Sequence, residues 1–419
     1  MKVTVVGGAS TYTPELVDGI ARLRDALPVE TLVLADPAQE RLEVVGAMSR
    51  RMLARADHPA QVLTTTDIDA GVTDADAVLL QLRVGGQAAR VQDESWPLEC
   101  GCIGQETTGA GGLAKALRTV PVVLDIAEVV RKRARPDAWI VDFTNPVGIV
   151  TRALLQAGHR ALGLCNVAIG FQRWFAELLA VRAEDVLLGH VGLNHLTWER
   201  SVVVDGRDAL PELLDRHAAA IAERVNQPEW LIRQLGVVPS YYLNYFYNHD
   251  AVVRAAHGTQ SRGARVAEME QALLEMYADP ALDQKPELLG QRGGAYYSEA
   301  AISLLASLSS DRGDVQVVNL RNGGTLPFLP DDAVIEVPAT ITADGATALP
   351  VDPVSPLYSG LIGHTYAYEE LALEAALHGG RDRVFRALLA HPLVGQVEQA
   401  EQLTDLLLAA NREHLGWAR

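Results

Sequence analysis

Six short β-branched runs, separated by longer stretches of helical period, restrict this chain more than any other feature of its first 165 residues. They read "KVTVVG", "ETLVLAD", "QVLTTTD", "DAVLLQL", "AWIVDFTNP" and "RALGLCN". Runs that apolar belong to strands covered on both faces, and strands that alternate with helices lie side by side as βαβ units. The expected class is α/β, a doubly wound parallel sheet. Between the first two runs Thr13 is placed to cap a helix and Pro14 to occupy its first turn, with Leu16, Ile20, Leu23 and Leu27 along one apolar face. "GGLAKALRTVPVVLDIAEVVRKRAR" predicts a long helix kinked near Pro121. After "LLGHVGLNHLTWERSVVVDG" the rhythm changes to helical stretches over 210–310, then turn-rich β sequence over 314–352, then helices.

A chain of 419 residues exceeds one ordinary core. Two parts are expected: a Rossmann-type nucleotide-binding domain over 1–192, and a mixed α+β domain over 193–419 for substrate and subunit contacts. The formal charge of −17 excludes the basic face that nucleic acid or an anionic membrane requires. Any anionic ligand must therefore meet a local cluster of basic side chains. No run of 18 apolar residues is present to span a bilayer. The three cysteines, Cys100, Cys102 and Cys165, do not suit a disulfide framework, and the start "MKVTVVGGAS" lacks a leader pattern, so the expected location is the cytoplasm.

"VVGGASTYTPEL" is the candidate nucleotide turn. A dinucleotide site wants a strand, a turn whose backbone approaches the pyrophosphate, and a helix N-terminus facing that charge. The glycine pattern is carried by Gly7, Ala9 and Tyr12, with Gly8 and Ser10 completing the turn, and the third glycine is absent. Asp36 ends the next run, where a carboxylate accepts from a ribose diol and repels the extra phosphate of NADP. The cofactor expected is NAD. "IGQETTGAGG", "DFTNPVG" and "GLCN" fall at the ends of later strands, the edge at which open α/β sheets bind ligands. One cysteine there, Cys165, and one histidine thirty residues on, His195, suit a divalent metal left open for chemistry rather than a closed zinc site. Each also reads as an ordinary core residue when taken alone. Cys100 and Cys102 read as incidental.

These residues resemble glycoside hydrolase family 4, especially its 6-phospho-β-glucosidase branch. The resemblance runs through "VVGGASTYTPELVDG", "GGQAARVQDE", "IGQETTGAGGLAKALRTVP", "FTNPVGIVT", "GLCNVAIGF", "GLNHLTW", "YYLNYFY", "RGGAYYSEAA", "RNGGTLPFLPDD" and "LLAHPLV". It implies a fold like that of lactate and malate dehydrogenases. It implies a reaction in which NAD⁺ takes hydride from carbon 3 of the sugar, a base removes the acidified proton at carbon 2, the aglycone is eliminated, water adds and the ketone is reduced again. It implies that Cys165 and His195 hold a metal, Mn²⁺, which stabilises the enediolate.

By the same resemblance Asn166 stands where α-specific members carry the Asp that protonates the leaving group, which makes this chain β-type. Asn145 matches a sugar contact, and Asn194 is placed with it. The base is Tyr242, selected by its spacing from Pro239 in "PSYYLNYFY", with Tyr245 in reserve. Arg262, twenty residues after Tyr242, matches a phosphate contact, supported by Arg83 and Arg292. Glu106 is either a catalytic carboxylate or the organiser of its loop. The implied partner is a phosphorylated glycoside, and the implied assembly a homodimer or homotetramer. Val84, Ala168 and "SRGARV" depart from the usual family pattern. A different anionic group at carbon 6, such as a sulfonate, is therefore a second substrate reading, and a plain NAD-dependent dehydrogenase or a non-catalytic nucleotide sensor a second class of function.

Overall fold

The computed structural model describes residues 1–294 and 296–418. The six runs form β1 (Lys2–Val6), β2 (Thr31–Ala35), β3 (Gln61–Thr65), β4 (Ala77–Leu80), β5 (Trp139–Asp142) and β6 (Ala161–Gly163). They pair in parallel in the order 3-2-1-4-5-6, the doubly wound arrangement whose strand order reverses between β1 and β4.

The sheet does not stop at β6. β7 (Val186–Leu193), β8 (Leu196–Val204), β9 (Arg207–Asp208), β10 (Val238–Pro239), β11 (Asp314–Arg321), β12 (Val334–Thr342) and β13 (Gly345–Ala348) extend it as antiparallel strands, to thirteen among the described residues. β11 lies beside β6, β12 beside β11, and β7 beside β12. One transverse row therefore runs Gly163, Asn319, Glu336, Gly192 across four strands. The two ends of the row have no room for side chains: a Cβ on Gly163 would lie 2.9 Å from that of Asn319, and one on Gly192 would lie 2.0 Å from the Leu196 carbonyl oxygen.

Alternate residues of each strand face opposite sides. Val3, Val5 and Leu79 pack on one side with Leu16 and Ile20 of the helix Thr13–Arg22 and with Ala301 and Leu305 of the helix Tyr297–Ser310. Val6, Val78 and Leu80 pack on the other with Leu113, Leu117 and Val120 of the helix Gly109–Arg133, and with Ala372 and Leu403 of the C-terminal helices Pro356–His378 and Val397–Asn411. Both cores draw on residues before and after position 192. The long helix of the sequence reading is present, with Pro121 inside it.

Two local expectations need correction. Thr13 does not cap the first helix: Tyr12 holds that position without a side-chain bond, and Thr13 is the first helical residue. Its hydroxyl is engaged in the turn, donating to the Gly8 carbonyl at 2.9 Å and accepting from Gln81 Nε2 at 2.7 Å. The helix also ends at Arg22, so Leu23 and Leu27 reach the core from the turn that follows. Among the described residues no helix is long and apolar enough to cross a membrane.

Candidate active site

The glycine turn lies at the carboxyl end of β1, at the point where the strand order reverses. Gly7 has φ +89°, and a Cβ there would sit 2.6 Å from the Gln81 carbonyl oxygen. Gly8 lies against β2, where a Cβ would meet Leu34 Cβ at 2.7 Å. Both positions therefore exclude side chains, and the turn keeps its backbone open to a ligand. Gln81, after β4, braces it by donating to the Gly7 carbonyl at 3.1 Å. Ser10 Oγ accepts from Tyr12 N at 3.2 Å. Tyr12 fills the place of the missing third glycine: its buried ring packs on Gly294, and its hydroxyl donates to the Gly294 carbonyl. Asp36 reaches back from the end of β2, accepting from Ala9 N at 3.2 Å and from Ala38 N at 2.9 Å. Gly7, Gly8, Ala9, Ser10, Tyr12 and Asp36 thus converge on one crevice, with the chemistry that a dinucleotide requires.

Cys165 follows β6 as the residue before the helix Asn166–Leu179. It is buried, and the Tyr297 and Asn194 side chains beside it act on its pKa as donors that favour the thiolate. Burial first, and then the charge of Glu336, push its thiol well above the ordinary range in the absence of a cation. His195 occupies the two-residue turn joining β7 to β8, with φ +63°. Burial takes its pKa down to about 4 against the opposing pull of Glu336 and Glu106, so the imidazole is neutral at physiological pH. Its Nδ1 is 2.9 Å from Thr107 Oγ1. Its ring stacks on Tyr242 at 3.7 Å and 11°.

Tyr242 belongs to a short turn of 3₁₀ helix after β10 and packs on Tyr241 at 4.6 Å. Burial first, then Tyr241 and Cys165, raise its phenol well above 10. Only a cation beside it can make that phenol a base near neutrality. Tyr245, 6.3 Å away by ring centroid, is raised to about 12 by burial and then by Glu94. Asn145, after β5, keeps its Oδ1 buried with no hydrogen-bond partner among the described residues. Such an acceptor costs about 1–3 kcal/mol unless a ligand satisfies it. Asn166 opens its helix and shares a pocket of about 110 Å³ with Phe171, Arg224 and Tyr241.

Beneath Cys165 and His195 lies a charged network that the sequence reading missed. His190 Nδ1 meets Glu199 at 2.6 Å and its Nε2 meets Glu336 at 3.0 Å, all three fully buried. The other oxygen of Glu336 accepts from Asn194 at 2.9 Å and from Asn319 at 2.8 Å. Burial opposes a charge on His190, but Glu199 and Glu336 overcome it and raise its pKa to about 10. Asn194 therefore links this network to the cysteine.

The basic residues form a second cluster. Arg83, Arg90 and Lys115 all pair with Glu106, the last two at 3.2 and 2.7 Å. Burial opposes ionisation of Glu106, yet Arg83, Lys115 and Arg90 hold its carboxyl well below the usual range. A carboxylate in that state does not donate a proton near neutrality. Of the two roles weighed for Glu106, the ion pairs fit the organiser, and the ionised state leaves a catalytic carboxylate only roles other than proton donor. Arg262 donates through Nη2 to the carbonyls of Gln291 and Arg292, at 3.0 and 2.8 Å. Burial and then its neighbours Arg90 and Arg265 lower its pKa. Arg292 pairs with Glu270 at 2.7 Å. Arg83, Arg90, Arg262, Arg292 and Lys115 thus converge around Glu94, Glu106 and Glu270, an excess of cations in an acidic protein. Arg90 and Lys115 were not anticipated. The spacing of Arg90 and Glu94 reads as a helical surface pair, whereas both are in fact largely buried at 2.8 Å. Cys100 and Cys102 lie outside the site, and burial raises both thiols, the opposite of activation.

A nucleotide crevice, a cysteine–histidine pair beside a tyrosine, and a basic cluster on one sheet edge define an α/β enzyme equipped for cofactor-assisted chemistry on an anionic substrate. Residues 2–181 match the family described as Family 4 glycosyl hydrolase, and residues 190–394 match Family 4 glycosyl hydrolase C-terminal domain. The chain belongs to this family. It is 37% identical to a probable 6-phospho-beta-glucosidase of Bacillus subtilis over 99% of this chain and 97% of that one. It is similar to the solved 6-phospho-beta glucosidase of Thermotoga maritima with manganese, NAD⁺ and glucose-6-phosphate, at 34% identity, TM-score 0.93 and 99% coverage of both chains. The malate dehydrogenase of Salinibacter ruber shares the fold alone, with TM-score 0.56 and 18% identity over 91% of this chain and 99% of that one.

Proposed function

We propose that this chain hydrolyses 6-phospho-β-glucosides with NAD⁺ and a divalent metal, Mn²⁺, as cofactors. The observation that carries this reading is the grouping of Cys165, His195 and Tyr242 between the glycine crevice and the arginine cluster. On this reading residues 1–192 hold the nucleotide and also carry Arg83, Arg90, Asn145 and Cys165, and residues 193–419 supply His195, Tyr242, Arg262 and Arg292. The fit of each cofactor rests on this chain. Gly7 and Gly8 leave a cradle that any side chain would fill, and Asp36 stands at the ribose end. Cys165 and the neutral His195 are a soft and a borderline donor with no third protein ligand among the described residues, which leaves positions for substrate oxygens.

When bound, the nucleotide supplies hydride removal and return at carbon 3, and the metal supplies a Lewis acid for the enediolate. The protein's own part is positioning and proton transfer. Tyr242, as the phenolate that a cation held by Cys165 and His195 would favour, is the group placed to take the proton from carbon 2. Asn145 Oδ1, otherwise unpartnered, accepts from a sugar hydroxyl. Arg83, Arg90, Arg262 and Arg292 receive the 6-phosphate, with Glu106 and Glu270 fixing their orientation. Asn166 has no proton to donate at neutral pH, consistent with a β-linked substrate. The same reading takes the enzyme as a cytoplasmic homodimer or homotetramer.

The test is nitrophenol release from 4-nitrophenyl β-glucoside 6-phosphate by metal-stripped protein, with NAD⁺ and Mn²⁺ added singly and together, beside the unphosphorylated and α-linked analogues. Release is expected only with both cofactors and only from the phosphorylated β-substrate, without net NADH. Stoichiometric NADH without nitrophenol would overturn the reading in favour of a dehydrogenase.

A further inference from the structure

We infer that Gln105 and Thr107 are positioning residues that hold His195 in one tautomer, with the proton on Nδ1 and the lone pair of Nε2 left for the metal. The inference depends on the metal reading above only for the destination of that lone pair. The tautomer itself follows from hydrogen bonding.

Gln105, Glu106, Thr107 and Thr108 form the loop that precedes the helix Gly109–Arg133. One side-chain atom of Gln105 receives the backbone N–H groups of both Thr107 and Thr108, the latter at 2.9 Å. Two converging N–H donors identify that atom as the amide oxygen, because an NH₂ group could accept neither. The same oxygen lies 2.8 Å from the Thr107 hydroxyl. A hydroxyl has one hydrogen, and an amide oxygen can only accept, so that hydrogen is committed to Gln105.

Thr107 Oγ1 can then offer only a lone pair to His195 Nδ1, 2.9 Å away on its other side. Nδ1 must supply the proton. In a neutral imidazole the other nitrogen is then bare, the form that a divalent metal requires. The ring plane is fixed independently, by the left-handed turn at φ +63° and by the stack on Tyr242. Glu106, which lies between Gln105 and Thr107, is the anchor of the basic cluster. One four-residue loop thus sets the histidine on one side and the arginines on the other.

The test uses the full-length, metal-free protein at pH 8, labelled with ¹⁵N at histidine, and reads two-bond nitrogen–proton correlations of His195. Manganese affinity is measured separately, from the paramagnetic resonance signal of free Mn²⁺. The wild type is expected to show Nδ1–H alone. Thr107→Val removes the acceptor and should release the ring to Nε2–H, with Mn²⁺ affinity falling about 10- to 100-fold. Thr107→Ser should keep both properties of the wild type.

Gln105→Leu is the sharper variant. It frees the Thr107 hydrogen to donate to Nδ1, and should therefore move the proton to Nε2 although Thr107 is retained. It also serves if the valine variant does not fold. An Nε2–H signal in the wild type, or an unchanged Nδ1–H signal in the folded valine and leucine variants, would overturn the inference. Because the nitrogen signals are read without metal, a wild type that shows Nδ1–H and binds no Mn²⁺ would refute the metal reading while upholding the tautomer.

Discussion

Glu106→Gln separates anchoring of the basic cluster, proposed above to receive the phosphate, from a catalytic role of the carboxylate itself. The carboxylate pairs with Arg83, with Lys115 at 2.7 Å and with Arg90 at 3.2 Å, all largely buried. At an effective dielectric of about 20, the latter two attractions are worth roughly 6 and 5 kcal/mol before desolvation is subtracted. Removing one partner of a buried pair costs about 3–5 kcal/mol net, because the remaining charges stay buried. For a chain of 419 residues, an unfolding entropy of about 0.9 kcal/mol/K turns that into a Tm lower by about 3–6 °C. Lys115, already lowered to about 8 by burial and held there only by Glu106, would lose its proton near neutrality. The basic cluster would then be both loosened and partly discharged. Calorimetry should find the lower Tm, and added inorganic phosphate should restore more of it in the variant than in the wild type. Kinetics should show KM for the phosphorylated glucoside raised at least tenfold, with kcat falling less. A variant with wild-type Tm and KM but no turnover would refute the argument and return Glu106 to the role of catalytic carboxylate.

Three further outcomes are expected. Tyr242→Phe should lower kcat by about 10²–10⁴ and abolish solvent deuterium uptake at carbon 2, with NAD⁺ affinity unchanged. Turnover within tenfold of wild type would exclude this tyrosine as the base. Gly7→Ala would place a methyl 2.6 Å from the Gln81 carbonyl in a left-handed backbone, so NAD⁺ affinity measured by calorimetric titration should fall at least tenfold, about 1.4 kcal/mol. An unchanged affinity would remove the turn from the nucleotide site.

The third concerns His190, whose folded pKa near 10 stands above the ordinary value of 6.5. The unfolded chain releases this proton first as pH rises. The stability the group provides is complete below pH 6.5 and is lost on approaching pH 10. The gap in urea stability between wild type and His190→Gln should therefore shrink by about 2–3 kcal/mol from pH 7 to pH 9, at about 1.36 kcal/mol per pH unit for one proton. A constant gap would mean that His190 is not charged.

The six parallel strands were legible because burial on both faces forces continuous apolar runs, and β1 to β6 are those runs. What followed was harder to read. Nothing local in "DVQVVNLR" indicates that this segment will lie beside β6, since that pairing depends on a partner more than a hundred residues away. The turn glycines, Cys165 and His195 stood out as candidates because their chemistry is unusual for their context. Arg90, Lys115, His190 and Glu336 were not, because each sits in an element with an unremarkable pattern and gains its meaning from burial beside a distant charge. Thr13 shows the limit at the smallest scale: a residue type suited to capping was drawn instead into a bond with Gln81, 68 positions away.

The transverse row from Gly163 to Gly192 bears on how the protein is made. Cys165 and His195 are thirty residues apart in the chain, yet the strands that carry them are separated in the sheet by β11 and β12, which span residues 314–342. A nascent chain can complete all six parallel strands long before those two have left the ribosome. It can therefore pair the strands around the glycine turn while the cysteine and histidine still lack the strands that span them. Because the helices Tyr297–Ser310, Pro356–His378 and Val397–Asn411 cover the two faces of those same strands, nucleotide affinity as well as metal affinity should be acquired only late in synthesis, and chains cut short before Thr342 should hold neither cofactor.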